Sequence, residues 1–234
     1  WKHLLEHYWQ HKLTDTEFHV AAKKLRLANL KKERDLGVDF IPVADNSDYD
    51  HVLDTLAAFG AVPTRFGHFD HALNLSEYYA IARGTKTAVA AEMTKWFNIN
   101  YHYIVPEFDD INFKLLDNRW LRYYQEAKDA LNIDGKPVIL GPVSFLKLGK
   151  RHGAYLDDAA VAELLPQLLP LYQQVFQELA AAGAQWIQLD EPTLVKTTDS
   201  AELVPYRTAL QRLHDAVPGL KIELQTYFDS LDLY

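Results

Sequence analysis

Short apolar runs recur along this chain, and each is separated from the next by a segment of helical length. They are VDFIPVAD at 38–45, a run around 101–105 stopped by Pro106, KPVILGPVSFL at 136–146, AQWIQLDEP at 184–192 and LKIELQTYF at 220–228. Strands spaced in this way cannot join their neighbours as hairpins, so they pair in parallel with helices covering the sheet. Apolar residues at helical spacing over 1–12 and 15–36 predict two helices ahead of the first strand, the second closing at Gly37 after Arg34. YDHVLDTLAAFG and the segments 119–131 and 159–182 predict the helices between strands. The alternation predicts an α/β fold of the (β/α)8 TIM-barrel type, incomplete in this chain, with about five parallel strands behind the N-terminal helices. In such a fold the strands at 38–45, 101–105, 137–145, 185–190 and 221–227 should be neighbours in sequence order. Each ends in polar residues, at Asp45, Glu107, Ser144, Asp190 with Glu191, and Asp229, where barrels of this type carry their chemistry. A doubly wound sheet is the second choice, and the absence of glycine from VADNSDYDH argues against its phosphate loop.

At 234 residues with 48% apolar content, the chain is long enough for one substantial core, and residues 1–234 read as a single domain. A net charge of −8 argues against general affinity for nucleic acid or an anionic membrane, both of which need a basic face. There is no cysteine, which excludes disulfides and thiolate metal sites. No apolar run approaches the roughly 20 residues needed to cross a bilayer, so a cytoplasmic protein is expected. The chain opens on Trp1 rather than Met and reads as a piece of something longer. His3, His7 and His11 share helical spacing, and His68, Asp70 and His71 cluster in a loop. Both groups read as polar surface rather than metal sites, because neither has the acidic and thiolate partners of a built site. The basic run 23–34, KKLRLANLKKER, reads as a solvated helix face, since it has no interleaved aromatics for stacking bases.

Several segments together resemble a known family. EMTKWFNINYHYIVPEF, LGPVSFLKLGK and IQLDEPTLV, in this order, are similar to the N-terminal barrel of cobalamin-independent methionine synthase, and IPVADNSDYDHVL and TYFDSL extend the resemblance along nearly the whole chain. The resemblance implies a two-barrel enzyme that moves a methyl group from 5-methyltetrahydropteroyl-triglutamate to homocysteine. It places the catalytic zinc, with histidine, cysteine and glutamate ligands, in the second, C-terminal barrel. No catalytic residue and no cofactor are then expected in this chain. Its partners would be the polyglutamylated folate and that second barrel, and the chain would be most of the first, lacking its initial strand and its last two.

The resemblance also assigns residues. Lys95, in TKWF, falls where the family places a lysine against the polyglutamate tail, and Lys2 falls at the end of a second basic segment of the same site. The chemistry is sound from first principles, because a chain of carboxylates suits point cations on flexible stems. Asp190 of DEP corresponds to an aspartate that binds the amino acid in the catalytic barrel; in this degenerate copy it reads as a vestigial carboxylate. Two other readings remain at this level. One is an independent barrel hydrolase using Glu107 with Asp190 or Glu191 as its carboxylate pair. The other is a structural barrel without ligand, which would bury Lys95 in a salt bridge with no adjoining groove.

Overall fold

The computed structural model describes residues 1–197 and 199–231. Two helices lead, α1 (Lys2–Trp9) and α2 (Asp15–Asp35). Thr14 and Glu17 form a reciprocal capping box at the start of α2, and the chain leaves it through Gly37 at φ 81°, a left-handed conformation that costs glycine little. Then come β1 (Pro42–Val43), α3 (His51–Ala58), α4 (Leu75–Arg83), β2 (Met93–Lys95), β3 (His102–Ile104) and α5 (Arg119–Leu131). The second half holds β4 (Lys136–Leu140), α6 (Pro142–Lys147), the short strands β5 (Lys150–Arg151) and β6 (Ala154–Tyr155), α7 (Asp158–Ala181), β7 (Trp186–Asp190), α8 (Val204–Ala216) and β8 (Lys221–Gln225).

Strands β1, β4, β7 and β8 form one sheet in that order, every pair parallel, with Pro42 opposite Lys136, Val138 opposite Gln188 and Trp186 opposite Lys221. Sequence order without reversal is the arrangement of an incomplete (β/α)8 barrel and rules out the doubly wound alternative. Helices α5, α7 and α8 pack outside, and Trp120, Tyr124, Tyr172 and Phe176 fill the layer between them and the strands. α2 is tied down on α5: Arg26 is buried, bonds Glu126 at 3.0 and 3.1 Å, and lies over the Tyr123 ring. The basic run is therefore partly structural, whereas its sequence reads as fully solvated.

The structure departs from the expected strands in two places. The segment 101–105 does not join the parallel sheet. Its β3 pairs antiparallel with β2, in a separate hairpin with Lys95 opposite His102, and the Ile104 N–H is taken by the Asp50 carboxylate instead of a neighbouring strand. The third strand stops at Leu140, and Ser144 lies inside α6, not at a strand end. Pro142 at the first position of α6 supplies the reason, since its fixed φ and missing N–H suit a helix start and cannot extend a ladder. Helices α4 and α8 and strand β2 were not expected.

The DEP turn has a structural task here. Glu191 is 1% exposed and accepts the N–H groups of Val143 at 3.1 Å and Ser144 at 2.7 Å, capping α6 from another strand end. Burial raises its pKa to about 7 although these donors pull the other way. Gly141 makes the approach possible, because a Cβ there would overlap the Glu191 carboxyl group. Gly141→Ala should therefore expel the carboxylate or strain the turn, costing about 2–3 kcal/mol of stability. A lower urea midpoint at unchanged slope would show it; a midpoint equal to the parent's would contradict the packing described.

Candidate functional site

The hairpin bearing Lys95 is held from three sides. The Trp96 N–H bonds Tyr101 O at 2.7 Å and closes the turn, which passes through Phe97 at φ 51°. Strand alternation then separates the roles: Lys95 points to solvent, while Trp96 and Tyr103 are each 3% exposed. Trp96 packs edge-on against His51 at 4.5 Å and Tyr103 at 5.5 Å, and the Tyr103 hydroxyl donates to Leu148 O at 3.0 Å. Lys150 bonds both carboxylate oxygens of Glu92 at 2.8 and 2.7 Å, just ahead of β2. The aromatics of this segment thus build the platform on which Lys95 stands.

Beneath the hairpin lies Asp50, fully buried. Its Oδ1 accepts the N–H groups of Val52 and Leu53 at 2.8 and 2.9 Å, capping α3, and its Oδ2 accepts the Ile104 N–H at 3.0 Å. Desolvation raises its pKa to about 7 against these three donors. Next to it, burial holds His51 down at about 4, so the ring is neutral and serves as packing between Trp96 and Tyr101.

Lys95 lines a groove of about 430 Å³ together with Phe97, Asn98, Tyr103, Lys147, Leu148, Tyr155 and Lys196. Among the described residues Lys95 has no ion-pair partner, and no acidic side chain lines this groove. The cavities lined by Arg122, by Asp190, by Arg83 and by Lys114 each include at least one aspartate. The Lys95 groove is thus a cationic trough with aromatic walls, suited to an extended anion whose carbon skeleton needs apolar contact.

The other expected residues lie elsewhere. Lys2 opens α1, its side chain 84% exposed and 3.8 Å from Glu6, and it does not line the Lys95 groove. Asp190 faces a different cavity with Asp45, His51, Arg119 and Tyr227; burial raises its pKa, and Gln188 donates to it at 2.9 Å. Glu107 is held in a bidentate pair with Arg65 at 2.5 and 2.6 Å and does not line the cavity that Asp190 faces. With Glu191 committed to capping α6, the carboxylate pair of a hydrolase is not assembled. His11 lies beyond the end of α1 at φ 56°, off the face shared by His3 and His7. His71 is paired with Asp70 at 3.2 Å and Glu77 at 3.4 Å. Lys147 and Lys196 of the groove escaped sequence reasoning, although each follows one of the quoted segments' strand ends, where a barrel gathers its binding residues.

Residues 1–234 match the family model described as cobalamin-independent synthase, N-terminal domain. The chain is 82% identical over 234 residues to the 5-methyltetrahydropteroyltriglutamate–homocysteine methyltransferase of Lactiplantibacillus plantarum, spanning 100% of this chain and 30% of that protein. Its fold is similar to that of a protein from Listeria monocytogenes assigned provisionally as a vitamin-B12-independent methionine synthase, at TM-score 0.62 and 15% identity, covering 95% of this chain and 59% of that one. It is also similar to a B12-independent methionine synthase from a Shewanella species, at TM-score 0.59 and 16% identity, covering 92% and 53%. These two show the fold; the first relative and the family model carry the kinship.

Asp50 yields a pH test of the hairpin anchor. Its folded pKa of about 7 lies above the ordinary 3.8, so the folded state keeps a proton that the unfolded state has lost between those values. The resulting stability is fully present below about 4 and is lost as pH rises through about 7. Asp50→Asn removes this titration, so the fall in urea midpoint between pH 5.5 and 7.5 should be shallower in the variant by up to about one proton's linkage. Identical pH slopes in parent and variant would remove Asp50 from this role.

Proposed function

The chain belongs to the family of cobalamin-independent synthase N-terminal domains, and on that premise we propose that it is the folate-binding and scaffolding barrel of a two-barrel methyltransferase. In this reading the whole enzyme carries a methyl group from 5-methyltetrahydropteroyl-triglutamate to homocysteine, and residues 1–234 form most of its first barrel. The chain spans 30% of the length of the relative it matches at 82% identity, which leaves room for a second barrel in a protein of that length. The observation that carries the reading is the unpaired Lys95 in a groove without acidic lining. A purely structural barrel would have no use for a groove in which, among the described residues, Lys95 has no ion-pair partner and no acidic side chain forms the lining, and a hydrolase would need the carboxylates that are already committed.

The chemistry assigned to this chain is binding. The methyl leaves a folate nitrogen and joins the homocysteine sulfur, a step that needs a thiolate, and zinc is the usual means of making one near neutral pH. Zinc belongs to the second barrel in this reading: the chain has no cysteine, and among the described residues no three metal-binding side chains are grouped. Lys95 holds the tail, far from the transferred methyl, by charge-assisted contact with a glutamate carboxylate. Lys2 is proposed as a second, exposed contact on α1, and Asp190 as a vestigial carboxylate fixed by Gln188. A cytoplasmic location fits; among the described residues no helix is long and apolar enough to cross a membrane.

Contact with the tail is the same in ground and transition states. Lys95→Ala in the full-length enzyme should therefore raise KM for the triglutamate substrate about fivefold to tenfold with little change in kcat. The loss should shrink at high ionic strength, because salt already screens an exposed pair in the parent. Steady-state kinetics on mono- and triglutamate substrates checks it. An equal loss on both substrates would mean that Lys95 does not touch the tail.

A further inference from the structure

We propose that Lys196 is a further tail-binding cation, the one that shares the groove with Lys95, and that Lys95 and Lys196 together make the site sensitive to the length of the oligoglutamate. The inference rests on the reading of the Lys95 groove as the tail site and adds to it a residue that determines specificity.

Lys196 is placed by rigid elements. It ends the short 3-10 helix Pro192–Lys196 that follows the DEP turn, where Leu194 N bonds Glu191 O at 3.1 Å. One turn back, the buried Thr193 hydroxyl sits between Ser144 Oγ and the Tyr206 hydroxyl, each at 2.8 Å. The ammonium group lies 4.4 Å from the centre of the Phe97 ring, and that ring is itself packed on Trp96 at 5.3 Å and Phe228 at 5.1 Å. A phenylalanine at φ 51° is a disfavoured backbone state that persists only where its surroundings hold it. The hairpin that carries Lys95 and the turn that carries Lys196 therefore meet at Phe97.

The charge on Lys196 is left available. Lys147, in the same groove, is paired with Asp158 at 2.9 Å, and the adjoining Lys150 with Glu92. Among the described residues Lys196 has no carboxylate partner, only the face of Phe97, which attracts a cation without neutralising it. Partial burial lowers its pKa, and an arriving carboxylate would offset that desolvation. A γ-linked oligoglutamate carries one α-carboxylate per residue. One lysine reports that a tail is present; two lysines on different strand ends reward a tail long enough to reach both.

The test uses the full-length enzyme and methyl-folates with one, two and three glutamates. Lys196→Met keeps an apolar stem against Phe97 and removes the charge, while Lys196→Arg keeps the charge. The preference for triglutamate over monoglutamate, as a ratio of kcat/KM, should fall about fivefold in the methionine variant and return with arginine. A ratio unchanged in Lys196→Met while Lys95→Ala lowers it would overturn the role of Lys196 and leave the tail site standing. If neither variant alters the ratio, the tail site itself falls. Thermal melting separates folding from binding: a methionine variant that melts early, with arginine equally unable to restore the ratio, also counts against the proposal.

Discussion

A single carboxylate closed off from water joins the parts on which the site depends. Asp50 accepts two N–H groups at the start of α3 and one from β3, so the helix that follows the first sheet strand and the hairpin that carries Lys95 are fixed to the same two oxygen atoms. The hairpin has no ladder partner in the main sheet, and without Asp50 the Ile104 N–H would be buried unpaired, at a cost of about 1–3 kcal/mol. Burial opposes the charge and three donors favour it, and the balance raises the pKa to about 7. Glu191 repeats the device at the other side of the groove, where it caps α6 and anchors the turn leading to Lys196.

Buried acids and exposed bases thus divide the labour. Where the chain needs fixed geometry it uses carboxylates that accept backbone N–H groups; in the proposed binding groove Lys95 and Lys196 have no carboxylate partner among the described residues, and Lys196 lies over an aromatic ring. This separation matters in a protein of net charge −8, because any acidic side chain in the groove would compete directly with an incoming carboxylate. The net charge alone would suggest a molecule that repels polyanions. The local arrangement decides otherwise, since charges beyond about 8–10 Å are largely screened at physiological salt.

Much of the architecture was legible because hydrophobic runs and helix signals are local. The parallel sheet and the order of its four strands, though not the exclusion of 101–105 from it, and α1, α2, α3, α5 and α7 follow from periodicity, and Gly37 marked a helix end as expected. The hairpin was hidden because Met93–Lys95 is too short to carry a strand pattern, and the left-handed Phe97 that makes the turn has no sequence signature. The run 136–146 read as one strand because apolar residues continue through Gly141-Pro142; the Gly-Pro pair was the available sign of a helix start. At the proposed site, Lys95 stands in a motif, TKWF, through which the sequence itself suggests a role. Lys196 has no such motif, because what sets it apart is its contact with Phe97, a residue ninety-nine positions away in sequence. Glu191 shows the converse: a carboxylate at a strand end invites a catalytic reading until its backbone partners are seen.

The most direct examination of the proposed tail site is a crystal structure of the full-length protein with 5-methyltetrahydropteroyl-triglutamate bound. A tail carboxylate should lie within ion-pair distance, about 4 Å, of the Lys95 ammonium, with the carbon skeleton of the tail against the aromatic wall formed by Phe97, Tyr103 and Tyr155. An ordered tail that runs over another surface, with Lys95 left in solvent, would contradict it.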